Sequence, residues 1–68
     1  MKQIDARGMS CPQPVLMTKK AIDGSCDKIE VIVDNNTARN NVERFLKSSG
    51  YKINTIEKDD EYVVEGTK

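Results

Sequence analysis

The sequence predicts an α+β fold: a two-layer α/β sandwich in the order β-α-β-α-β-β. Its four-stranded mixed sheet would carry two helices on one face. Three observations lead there. The apolar residues switch along the chain between strand-like alternation and helical spacing. Each helical stretch has a single apolar face, so both must pack on the same neighbour. The chain has 68 residues, enough for one small core, and residues 1–68 are read as one domain.

In the first strand, Lys2 to Ala6, Ile4 and Ala6 share one face. Arg7-Gly8-Met9-Ser10 follows as a loop, with Gly8 free to take a positive φ. The pattern is helical from Pro12 to about Asp23. Pro14, Val15, Met17, Thr18, Ala21 and Ile22 lie on one broad face, with Gln13, Lys19 and Lys20 elsewhere and Leu16 outward. Gly24 is a natural residue to end that helix. Ile29, Val31 and Val33 give the second strand its apolar face.

Asp34-Asn35-Asn36-Thr37 offers several N-caps for a second helix. Its inner side is Ala38, Val42, Phe45, Leu46 and Ser49, with Arg39, Asn40, Glu43, Arg44 and Lys47 mostly outside, and Gly50 stops it. Tyr51, Ile53 and Ile56 mark a third strand. Asp59-Asp60 makes a turn into a fourth strand at Tyr62-Val63-Val64. Strands joined through helices need crossovers, so the first three are expected to run parallel and the last antiparallel.

Composition narrows function by exclusion. Eleven Lys+Arg balance eleven Asp+Glu, for zero net charge and a pI near 6.2. That balance argues against direct, tight nucleic-acid binding and against an anionic membrane surface. There is no histidine, which removes Cys-His and Ser-His-Asp catalysis and the usual zinc sites. Two cysteines, Cys11 and Cys26, cannot furnish a four-ligand metal site, so no metal is expected. No apolar run approaches the roughly 20 residues of a membrane span, and no secretory segment precedes the first charges. A reducing cytoplasm with free thiols is the expected setting.

Both prolines of the chain stand beside one cysteine, in Ser10-Cys11-Pro12-Gln13-Pro14. Proline suits a first helical turn and disfavours helical geometry in the residue before it. Cys11 is then the N-cap, with Pro12, Gln13 and Pro14 following. In the other register Ser10 caps, and Ser10-x-x-Gln13 forms a capping box. Either register places the sulfur in the positive end of the helix dipole. A free thiol has a pKa near 8.5, and a helix N-terminus lowers it, favouring the nucleophilic thiolate. Arg7, Lys19 and Lys20 are further positive charges that could act on the thiol. With no histidine base, activation must be electrostatic. The plainer account of the motif is a helix start that happens to hold a small sulfur residue.

The run Asp5-Ala6-Arg7-Gly8-Met9-Ser10-Cys11-Pro12-Gln13-Pro14-Val15 resembles the signature of the TusA/SirA/YedF family of small sulfur carriers. Lys19-Lys20-Ala21, Val33-Asp34-Asn35, Asn41-Val42-x-Arg44-Phe45 and Ser49-Gly50-Tyr51 extend the resemblance, and the second half looks closest to the YedF-like branch. The resemblance implies a βαβαββ sandwich. It further implies that Cys11 takes sulfur as a covalent persulfide from a cysteine desulfurase and passes it to an acceptor protein, with no separate cofactor. Carried over by residue, Pro12 and Pro14 are then structural. The residues themselves make Gly8 a structural loop glycine and give Asp5, Arg7 and Gln13 supporting places, Asp5 as an acceptor for loop amides and Arg7 as a partner for Asp5 or for another protein. Tus-type members commonly show an Asp-Pro pair and an Arg-Asp step where this chain has Asn35-Asn36 and Arg39-Asn40. That departure bears on tRNA-thiolation partners rather than on sulfur chemistry. A selenium cargo is chemically close. The contrasting reading is a non-catalytic regulatory or protein-binding module, associated with selenium metabolism or forming the N-terminal part of a larger protein.

Other residues have plainer roles. Cys26 reads as a small loop residue, since a helix of about 12 residues, or ~18 Å, separates it from Cys11. Asp34 reads as a cap, and Arg39, Arg44 and Lys47 as a solvated basic helix side. Leu16 and Met9 are the better candidates for a protein-contact patch.

Overall fold

The computed structural model describes residues 2–9, 13–23 and 27–68. Its elements are β1 (Lys2–Asp5), α1 (Gln13–Ile22), β2 (Lys28–Val33), α2 (Asn36–Ser48), β3 (Lys52–Lys58) and β4 (Glu61–Thr67). The sheet order is β1-β2-β4-β3, with β1 parallel to β2 and β4 antiparallel to both of its neighbours. The first three strands therefore share a direction, as predicted. β4, however, is inserted between β2 and β3.

The hairpin explains that insertion. Asp59 and Asp60 both have positive φ, 51° and 62°, and join Lys58 directly to Glu61. Two left-handed residues make the tight turn whose twist suits antiparallel strands, and aspartate tolerates that region. Both strands outrun their apolar cores, β3 to Lys58 and β4 to Thr67. Continued ladder pairing outweighs the polar composition of those ends.

Ile29, Val31 and Val33 of β2 and Val64 of β4 meet Ala38, Val42 and Leu46 of α2, with Ala6 and Tyr51 closing the ends of the core. α1 buries Pro14 and Thr18, and the Thr18 hydroxyl donates to the Pro14 carbonyl at 2.8 Å. Leu16 remains outside, 47% exposed. α2 is tied at both ends. Asn35 caps its start by accepting from the Ala38 amide at 2.7 Å. Gly50 ends it at φ 92°, with the Gly50 amide on Lys47 and the Tyr51 amide on Leu46, a Schellman closure.

The outer side of α2 is less solvated than its charges suggest. Arg39 and Glu43 are half-buried. The Arg39 guanidinium lies 5.0 Å from the centre of the Tyr62 ring, and Glu43 accepts from the Thr55 hydroxyl of β3. The predicted basic side of Arg39, Arg44 and Lys47 is thus corrected. Arg39 turns onto an aromatic face, leaving Arg44 and Lys47 exposed.

Candidate functional site

The parallel strands β1 and β2 end at one edge of the sheet, and the chain from β1 turns there toward α1. The Ala6 amide continues the ladder to the Ile32 carbonyl at 2.8 Å. Ala6 to Met9 form a β-turn, with the Met9 amide on the Ala6 carbonyl at 3.3 Å. Gly8, at the third position, has φ +75°, the value of a type II turn. A residue with a Cβ is disfavoured there, which is why glycine stands at this point.

Two carboxylates hold this turn. Asp34, the first residue after β2, accepts from the Gly8 amide at 2.8 Å. Its other oxygen accepts from the Asn35 side-chain amide at 3.1 Å, and Asn35 in turn caps α2. A continuous set of hydrogen bonds therefore runs from the turn to the start of α2. The cap expected at Asp34 is Asn35 instead, and Asp34 is engaged by Gly8.

Asp5 holds Arg7 by two parallel bonds, Nε to Oδ1 at 2.8 Å and Nη2 to Oδ2 at 2.7 Å, and also accepts from the Arg7 amide at 3.2 Å. Arg7 Nη1 reaches Glu61 of β4 at 2.9 Å. The Arg7 side chain, donating to Asp5, holds that carboxyl down at about 2 against an ordinary value of 3.8. The same bonds push the guanidinium pKa up.

Of the two roles the sequence leaves open for Arg7, the structure shows the pairing with Asp5, and Asp5 and Glu61 together neutralise the charge that could have acted on the thiol. Lys19 and Lys20 lie in the last turn of α1, roughly 10 Å along the axis from Gln13 at 1.5 Å per residue. They favour the helix C-terminus rather than its start.

The first turn of α1 carries no acidic side chain, so the positive end of its dipole is not compensated from within the helix. Gln13 is exposed and Pro14 buried. Cys11 and Pro12, with Ser10, lie outside the described residues, as do Gly24 and Cys26. The sequence interval is short: Cys11 stands three residues after Gly8 and two before Gln13. Met9, 42% exposed at the end of the turn, and Leu16 of α1 are exposed apolar residues. Along α1, Gln13, Leu16, Met17, Lys19 and Lys20 line an open groove.

Sequence reasoning missed Glu61 and the grip of Asp34 on Gly8. Their partners lie 54 and 26 residues away, beyond any local pattern. Among the described residues, no group of three or more His, Cys, Asp or Glu could hold a metal ion. No helix among them is long and apolar enough to cross a membrane.

Two helices on one face of a β1-β2-β4-β3 sheet define a SirA-like α+β fold. The crystal structure of the SirA-like protein from Desulfitobacterium hafniense superposes with a TM-score of 0.89 and 34% identity, covering 98% of this chain and 96% of that one. The chain belongs to the TusA sulfurtransferase family, whose model matches residues 2–68. A candidate sulfur carrier protein of Methanocaldococcus jannaschii is 40% identical over 55 residues, 78% of this chain and 73% of its own length. The candidate sulfur carrier protein YrkI of Bacillus subtilis is 36% identical over 62 residues, 88% of this chain and 80% of its own.

Proposed function

We propose that this protein is a sulfur carrier that relays persulfide sulfur on Cys11 from a cysteine-desulfurase-type donor to an acceptor protein. The observation that carries the reading is the place of the Cys-Pro-Gln-Pro motif in a chain of this family. In the sequence Cys11 falls between the clamped turn, Ala6 to Met9, and Gln13, the first residue of α1.

The chemistry needs no separate cofactor. The Cys11 thiolate attacks the terminal sulfur of the donor's persulfide, a new S–S bond forms on Cys11, the donor's S–S bond breaks, and the donor leaves as a thiolate. Oxidation level is conserved. An acceptor thiolate then takes the terminal sulfur in the same way and restores Cys11. The helix start favours the thiolate in place of the absent histidine base. The exposed groove along α1, apolar at Leu16 and Met17 and basic at Lys19 and Lys20, supports docking of partners with an apolar patch edged by carboxylates.

Incubation with a persulfidated desulfurase, followed by intact mass measurement, tests the reading. Wild type gains about 32 Da, one sulfur atom, and Cys11→Ser gains none. Equal gain by both chains overturns it.

A further inference from the structure

We propose that Asp34 is a positioning residue for sulfur transfer: by holding the Gly8 amide it sets the turn that delivers the chain to Cys11. The inference rests on the carrier reading above.

The turn from Ala6 to Met9 has one soft joint. Types I and II differ mainly by a flip of the central peptide, here the one joining Arg7 to Gly8, while the ends of the turn hardly move. The N–H of that peptide is the Gly8 amide, the group that Asp34 accepts from at 2.8 Å. A carboxylate in this position makes a charge-assisted bond to one orientation of the peptide and none to the other. Asp34 is itself oriented, because its second oxygen is engaged by Asn35, whose own oxygen is committed to capping α2. Asp34 is exposed, so burial does not explain its geometry. Its bond crosses 26 residues to reach a turn that stands three residues before Cys11. Without Asp34, the joint can flip and the approach to α1 is no longer unique.

Three readouts test this: hydrogen exchange at the Gly8 amide, the pH profile of Cys11 alkylation, and the rate of sulfur loading from a persulfidated desulfurase. In Asp34→Ala the Gly8 amide should exchange fast. The alkylation midpoint should rise toward the free-thiol value of about 8.5, and loading should slow about tenfold. Asp34→Asn keeps an acceptor for the amide and should recover most of the loss in all three. Val42→Ala, a core change away from the turn, serves as the control for lost stability and should keep the wild-type pH profile. The inference is overturned if Asp34→Ala loads and titrates like wild type, or is slowed no more than Val42→Ala. It is likewise overturned if Asp34→Asn is as defective as Asp34→Ala. A wild-type chain that takes up no sulfur overturns the carrier reading itself.

Discussion

Replacing Gly8 probes the turn directly, because its cost divides cleanly. Gly8 has φ +75°, and a Cβ built there meets no atom within 4 Å. Crowding therefore contributes nothing to Gly8→Ala, and what remains is the backbone preference of an L-residue. That preference is roughly 1–2 kcal/mol in the left-handed region. The usual gain of about 0.4–1 kcal/mol from a stiffer unfolded chain is not realised where φ is positive. Total stability for a chain of this length is of order 3–10 kcal/mol. At about 4–8 °C per kcal/mol for a small domain, Gly8→Ala should lower Tm by about 5–15 °C. Urea unfolding should show a lower midpoint with unchanged slope, since the surface exposed is the same. Gly8→Asn should cost less than alanine, because asparagine tolerates this region, and Gly8→Val should cost more. A neutral Gly8→Ala, or an asparagine as costly as valine, would refute the turn geometry and the reasoning built on it.

Other changes give separate checks. Asn35→Ala removes the cap from α2 and should cost about 1 kcal/mol in urea unfolding, whereas Asn35→Ser should keep most of it. At Gly66 an added Cβ would stand 3.2 Å from Ile29 Cγ2, Leu46 Cδ1 and Tyr51 Cδ2. Crowding of roughly 1–3 kcal/mol should outweigh the unfolded-state gain, so Gly66→Ala should lower the urea midpoint, and a raised midpoint would contradict this. The Asp5 carboxyl should titrate by NMR near 2 rather than 3.8. A carboxyl pKa depressed on folding adds stability that is complete above the unfolded value and fades as pH falls through the folded one. The Asp5–Arg7 contribution should therefore weaken from about pH 4 down to 2, and Arg7→Gln should return the midpoint toward 3.8.

What the sequence makes legible here is local. Alternation at Ile29, Val31 and Val33, the helical spacing of Ala38, Val42 and Leu46, the stop at Gly50 and the turn at Asp59-Asp60 each depend on neighbours within a few residues. The placement of β4 between β2 and β3 does not, because periodicity says which face a strand buries and not which strand lies beside it. The same limit applies around the motif. Gly8 could be assigned a positive φ from its type and place. Its partner Asp34, and Glu61 opposite Arg7, are brought close by the fold across 26 and 54 residues. Arg39 shows the limit from another side. Helical spacing puts it outward, yet the ring of Tyr62, from a strand paired late in the sequence, gives its guanidinium a surface to cover.

The carrier function requires that sulfur reside on Cys11, and Cys26 of the same chain is an internal control. After loading from a persulfidated desulfurase, the persulfide would be trapped by alkylation, and non-reducing digestion would separate the two cysteines onto different peptides for mass analysis. One added sulfur, about 32 Da, is expected on the Cys11 peptide and none on the Cys26 peptide. Sulfur on Cys26, or divided evenly between the two, would contradict it.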